Sequence, residues 1–230
     1  MSDLAQRYNQ IVEKVASAAA ASGKDASDIT LVVVTKNHPP ELVFDLIALG
    51  ARDFGENRDQ EAAPKAKEVI SSSNELTRWH FIGQLQTNKV KSVLGYASSL
   101  HSIDRDSLVK ELAKQLPKFD KTLEGFIELN LTADPNRGGI LPENMMALAE
   151  QVLAVDQIKL VGLMAVAGLG EDPRAEFEKV LKLQSELMQL APDAQGLSIG
   201  MSEDYEIALE MGATHIRVGS KITGPRAYSA

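Results

Sequence analysis

The 230-residue sequence contains no cysteine. That absence excludes disulfide frameworks, thiolate zinc sites, iron–sulfur clusters and cysteine nucleophiles, and it fits a reducing compartment. Positive charge is also short, with 24 Lys and Arg against 32 Asp and Glu and a formal charge of −8. A generic nucleic-acid or anionic-membrane partner is therefore not expected, because phosphate-rich surfaces call for surplus Lys and Arg. A local basic pocket stays open. No window approaches ~18 consecutive apolar residues, so no membrane span is expected. The first 23 residues carry Asp3, Arg7, Glu13 and Lys14 where a signal peptide needs an unbroken apolar core. The expectation is a soluble, cytoplasmic protein. Motifs are missing too. No G-x-G-x-x-G follows the first apolar run, and no H-x-x-x-H or carboxylate cluster suggests a metal site.

What is present is globular: 44% hydrophobic and 24% charged residues, close to the average for folded domains. At ~150 residues per domain the length allows one large domain or two small ones. No composition break or internal repeat divides the chain, which favours a single domain over 1–230. Leu4, Tyr8, Ile11, Val12, Val15 and Ala19 recur at helical spacing, with Gly23 as the stop. Ile29–Thr35 is a β-branched run that reads as a buried strand, and Pro39-Pro40 then opens a helical pattern ending at Gly50. The alternation continues. Strands are expected at Asp53–Glu56, Arg78–Ile82, Ser99–Ile103, Gly125–Leu131, Ile158–Ala165, Leu197–Ile199 and His215–Val218. Helices are expected at Arg58–Ile70, Thr87–Leu94, Arg105–Leu116, Glu143–Leu153, Ala175–Leu190 and Glu203–Met211. Strands separated by helices pair in parallel. Eight of them in about 190 residues suit a (β/α)8 TIM-type barrel, with the N-terminal helix as an extra outer element. A doubly wound open sheet is the rival, weakened by the missing glycine fingerprint.

In such a barrel the loops after the strand C-termini build the site. Lys36 directly follows the first strand, on the face of Val32 and Val34 that points inward by alternation. Partial desolvation would lower its pKa and suit Schiff-base formation with an aldehyde; a structural lysine at the mouth is the bland alternative. Gly200, Met201 and Ser202 follow the seventh strand, with Ser202 as a natural N-cap, and Gly219 and Ser220 follow the eighth. Barrels commonly hold a phosphate with these two loops. Arg217 lies inside an apolar strand and must be paired there. Either it meets a carboxylate such as Glu56, or it donates to an acceptor of a bound ring. Glu56 and Asn57 sit at the end of the second strand, and His80 lies in the third, where a lone histidine is more often a core residue than a ligand. Met164 and the other methionines read as core filling.

Together these residues resemble the pyridoxal phosphate homeostasis proteins, relatives of the alanine racemase N-terminal barrel. The matching pieces are L-V-V-V-T-K at 31–36, F-G-E-N at 54–57, W-H-F-I-G-Q-L-Q-x-N-K at 79–89, G-L-M at 162–164, L-S-I-G-M-S-x-D at 197–204, and R-V-G-S-x-I-x-G-x-R from Arg217 to Arg226. They run in order along nearly the whole chain. The resemblance implies that pyridoxal 5'-phosphate is held as a Schiff base on Lys36. It implies that Met201, Ser202, Gly219 and Ser220 hold the phosphate, that Arg217 faces the pyridine nitrogen, and that Asn57 and His80 line the pocket. It implies an intracellular carrier or regulator of pyridoxal phosphate that affects amino-acid and keto-acid pools, with pyridoxal-phosphate-dependent apoenzymes as recipients. No catalytic residues are assigned. A racemase is the first alternative, but the tyrosine of its second domain has no counterpart other than Tyr228. A cofactor-free Schiff-base aldolase is the second, and no acid–base pair stands beside Lys36 for it. A monomer is expected, since no long apolar stripe is left over.

Overall fold

The computed structural model describes residues 2–132, 134 and 137–224; Arg226 and Tyr228 lie outside these. Eight strands form a closed, all-parallel barrel in chain order: β1 (Thr30–Val34), β2 (Asp53–Glu56), β3 (Arg78–Phe81), β4 (Ser99–Ile103), β5 (Leu123–Glu128), β6 (Ile158–Met164), β7 (Gly196–Ser198) and β8 (His215–Val218). The barrel closes through β1 and β8, which pair from Thr30↔His215 to Val33↔Val218. Outside it run α1 (Asp3–Ala21), α2 (Pro40–Ala48), α3 (Asp59–Ser72), α4 (Val90–Leu94), α5 (Asp106–Gln115), α6 (Met145–Leu153), α7 (Pro173–Leu190), α8 (Tyr205–Glu210) and α9 (Ser220–Thr223). This is the TIM-type architecture the alternation predicts, and all strand C-termini share one face.

The helices form where the apolar spacing directs. In α1 the buried residues are Ala5, Tyr8, Ile11, Val15 and Ala19, one stripe at three- and four-residue intervals, and the Ser2 hydroxyl accepts from the Ala5 N–H at 3.3 Å. Pro40 opens α2 at the first helical position, where its missing N–H costs nothing. The main core lies between strands and helices, where Val33, Phe54, Trp79, Phe81, Leu100 and Ile127 meet the helix stripes. Opposite residues of the same strands fill the lumen. There Asp53, His80, His101, Ser198 and Arg217 are buried, so the barrel interior is polar over much of its height.

Several boundaries differ from the sequence reading. β5 starts two residues earlier, at Leu123, and ends at Glu128 rather than Leu131. Beyond it Asn130 caps a loop, accepting the Thr132 N–H at 2.9 Å and donating to the Asp134 and Arg137 carbonyls. β7 is shifted by one, to Gly196–Ser198, because Gly196 pairs with Gly162 across an unusually close approach. Gly162 has φ +156°, and a Cβ there would lie 1.8 Å from the Gly196 carbonyl oxygen. The helix expected from Glu203 shortens to α8, with Asp204 rather than Ser202 at its N-cap position. No helix among the described residues is long and apolar enough to cross a membrane.

Candidate functional site

A cavity of about 360 Å³ opens at the C-terminal face of the barrel, lined by Lys36, Arg217, Met201, Ser202, Gly219 and Ser220 among others. Lys36 stands just past β1, and its backbone is clamped on both sides. On one side the Thr35 N–H donates to Gly55 at 3.1 Å, and the Thr35 hydroxyl donates to Glu56 Oε1 at 2.7 Å. On the other, Asn37 adopts a left-handed φ of +62° and donates its N–H to Glu61 Oε1 at 2.6 Å. Lys65 ties the two together. Its ammonium donates to the Thr35 carbonyl (2.9 Å), Glu56 Oε1 (2.8 Å) and Glu61 Oε1 (2.7 Å). The Lys65 and Glu56 side chains are 3% and 0% exposed. Burial pushes the Glu56 carboxyl above its usual range, and the Lys65 charge opposes that shift without cancelling it.

The loops after β7 and β8 meet beside Lys36. Gly219 donates its N–H to Ser202 Oγ at 3.3 Å, and the Ser202 and Ser220 hydroxyls lie 3.2 Å apart. Ser202 is thus an acceptor from the facing loop instead of a helix cap. Asp204 holds its own loop, accepting the Met201 N–H at 2.6 Å. Gly200, at φ +88°, permits the fold-back: a Cβ there would stand 2.6 Å from Ala208 Cβ and 3.0 Å from Tyr205 Cα.

Arg217 is buried, and its partners are not carboxylates. Nη1 donates to both the carbonyl and the hydroxyl of Ser198, each at 2.6 Å, and Nη2 donates to the Ala165 carbonyl at 3.0 Å. Glu56, the partner the sequence suggested, is taken by Lys65. Burial pushes the guanidinium down to about 10, which leaves it a cation at neutral pH. A guanidinium has five N–H donors, so two remain beyond these three bonds among the described residues.

Two expected site residues stand apart from this cavity. Asn57 lines a neighbouring polar cavity of about 710 Å³ with Arg58, Gln84 and Lys89. His80 is not on the wall of either. It lies deeper in the lumen, with Nε2 2.8 Å from Asp53 Oδ1 and Nδ1 2.9 Å from His101 Nε2. The sequence reading also missed Glu128 at the C-terminal end of β5. Its Oε2 is buried with no hydrogen-bond partner among the described residues. Burial, with the Asp104 charge adding, pushes this carboxyl up to about 7 against the pull of Arg217 and Arg137. A charged residue inside the apolar run expected at Gly125–Leu131 was the signal available.

Comparison with known proteins gives the family. The family model for the alanine racemase N-terminal domain matches residues 7–227. The pyridoxal phosphate homeostasis protein of Aquifex aeolicus is 35% identical over 227 residues, covering 97% of this chain and 98% of that one. Its counterpart in Pseudomonas aeruginosa is 34% identical over 230 residues, covering 100% and 99%. Among solved structures, PipY of Synechococcus elongatus with PLP bound superposes with a TM-score of 0.80 at 33% identity, over 93% of this chain and all of PipY.

Proposed function

The chain belongs to the alanine racemase N-terminal domain family, within its pyridoxal phosphate homeostasis proteins, and from that premise we propose that it binds pyridoxal 5'-phosphate at the barrel mouth and buffers its supply. The observation that carries the reading is one cavity that gathers an amine, a buried guanidinium and a two-loop hydroxyl cradle: Lys36, Arg217, and Ser202 with Gly219 and Ser220. Its volume falls at the small end of the roughly 300–1,000 Å³ typical of ligand pockets, which suits a single-ring cofactor. The donor set fits as well, with hydroxyls for a phosphate and, among the described residues, two guanidinium N–H groups left for a ring acceptor.

Lys36 would hold the aldehyde carbon through its amine, while Ser202, Gly219 and Ser220 would hold the phosphate. When bound, the cofactor supplies an aldehyde for amines and, if its ring nitrogen is protonated, an electron sink. Arg217 offers only donors, so it favours an unprotonated ring nitrogen and weakens that sink. Asp53 is an acceptor but lies behind two imidazoles, away from the cavity. These residues suit storage and hand-over better than turnover, with pyridoxal-phosphate-dependent apoenzymes as the recipients and the monomer as the working unit. The test is direct. Protein mixed with pyridoxal phosphate should gain a visible absorption band, and borohydride reduction followed by peptide mapping should place the added mass on Lys36. A colourless protein with no adduct would refute the proposal.

A further inference from the structure

A continuous series of polar side chains crosses the barrel lumen from its floor to Arg217. Arg78 and Asp53, the first residues of β3 and β2, form a two-point ion pair at 2.7 and 3.0 Å. Asp53 Oδ1 lies 2.8 Å from His80 Nε2, His80 Nδ1 lies 2.9 Å from His101 Nε2, and His101 Nδ1 lies 2.7 Å from Ser198 Oγ. Ser198 Oγ in turn receives Arg217 Nη1 at 2.6 Å. His80, His101, Ser198 and Arg217 are all buried, whereas Arg78 is 55% exposed at the N-terminal rim. The series therefore joins the solvent-facing floor to the cavity at the opposite end.

Its ends determine its direction. Arginine has no acceptor and ionised aspartate no donor. Burial pushes the Asp53 carboxyl up, but its bonds to His80 and Arg78 together with their charges bring it below its usual range, so it stays ionised. Ser198 Oγ must accept from Arg217, which leaves its single proton for His101 Nδ1. His101 then carries its proton on Nε2 and donates to His80 Nδ1, and His80 donates from Nε2 to Asp53. The competing arrangement puts a second proton on His80 and reverses the upper half. It would bury a cation among Arg217, His215 and Arg78, with the Asp53 charge already balanced by Arg78. His215 packs on both rings, at centroid distances of 6.3 and 5.8 Å. Burial holds both His101 and His215 well below the usual histidine range.

We propose that Asp53, His80, His101 and Ser198 form a one-way hydrogen-bond chain that orients the Arg217 guanidinium toward the cavity, so that Asp53 acts on the mouth from the far end of the barrel. These four are positioning residues and do not touch the ligand. The inference rests on the binding reading above only for its consequence; the chain itself can be tested without ligand.

The experiment is nitrogen NMR of the ligand-free, 15N-labelled full chain at pH 7.5, where four histidines make assignment tractable. His80 and His101 should both appear as neutral Nε2–H tautomers. A protonated His80, or an Nδ1–H tautomer at either ring, overturns the proposal. Coupling is read from a double-mutant cycle on the Arg217 Nε resonance. Asp53→Asn should shift that resonance in the wild type and leave it in place in Ser198→Ala. Sites this far apart ordinarily behave additively, so equal shifts in both backgrounds would also overturn the chain. With pyridoxal phosphate as the probe, each single variant should weaken binding about tenfold and the double variant no further. If the protein takes up no pyridoxal phosphate while the tautomers and the cycle hold, the binding reading fails and the chain stands. If a variant does not fold, the wild-type tautomers alone decide.

Discussion

Replacing Lys65 with Met tests whether the buried ion pair beneath the cavity holds the barrel mouth together. The substitution roughly keeps side-chain volume but removes three donated bonds, to Thr35, Glu56 and Glu61. Glu61 keeps the Asn37 N–H, and Glu56 keeps the Thr35 hydroxyl. What is lost, among the described residues, is the only cation bonded to a carboxylate that is itself 0% exposed. Breaking one side of a buried pair costs about 3–5 kcal/mol, a large share of the ~5–15 kcal/mol available to a folded chain. For a domain of this size that corresponds to a fall of about 6–20 °C in melting temperature. The deficit has a pH signature. Without Lys65, burial governs Glu56 against only the Thr35 hydroxyl bond, with the Glu61 charge adding to it, and its folded-state pKa moves further above the unfolded one. The folded variant then gains stability as pH falls through that raised value, and loses it as pH rises. Urea denaturation at pH 7.5 and pH 5.5 reads both effects. The gap between wild type and Lys65→Met should narrow on acidification. A cost below about 1 kcal/mol, or a gap equal at both pH values, would refute the assignment.

Three further outcomes are expected. Lys36→Ala should abolish the borohydride-trapped adduct while leaving weaker binding through the cradle, lowered at least about tenfold (about 1.4 kcal/mol) by equilibrium dialysis; complete loss of binding in a folded variant would count against the cradle. Gly200→Ala places a methyl 2.6 Å from Ala208 Cβ on a backbone with φ +88°, and should cost about 1–3 kcal/mol in urea unfolding while weakening pyridoxal phosphate binding. Glu128 rises from 4.5 to about 7 on folding, a difference worth roughly 3 kcal/mol. That stability is fully present below the unfolded value and drains away as pH rises through about 7, so Glu128→Gln should flatten the wild-type decline between those limits.

The barrel was legible because its strands are short apolar runs divided by helical spacing, and β2, β4 and β8 fall where their patterns place them. The ends of β5 and β7 were not. They depend on Asn130 turning its side chain onto the backbone and on two glycines from different strands meeting, and neither is a local property of a run. Lys36, Ser202, Gly219 and Ser220 could be picked out because each lies just beyond a strand, where the C-termini converge, and Arg217 because a charge inside an apolar strand must be paired. The partnerships could not be read in this way. Glu56 stands one residue from Asn57 at the right end of β2 and looks like a match for Arg217, yet a lysine on α3 reaches it first. His80 carries no sign of its depth, because the register that stacks it on His101 and Asp53 is set by three strands at once.

The cavity straddles the seam where the barrel closes. Lys36 extends from the first strand, the hydroxyl cradle follows the last two, and β1 and β8 are joined by direct pairing. The two halves of the site are thus more than 160 residues apart along the chain, counting from Lys36 to Ser202, and contacts of such separation are slow to form. The site has no partial form: until the final strand docks, the amine has no cradle opposite it. On the proposed binding, a ligand held from both sides would act as a rivet across that joint, stabilising the closed barrel in proportion to the logarithm of its concentration. Occupancy then records that the ring has shut, and the pool of free ligand sets how firmly it stays so.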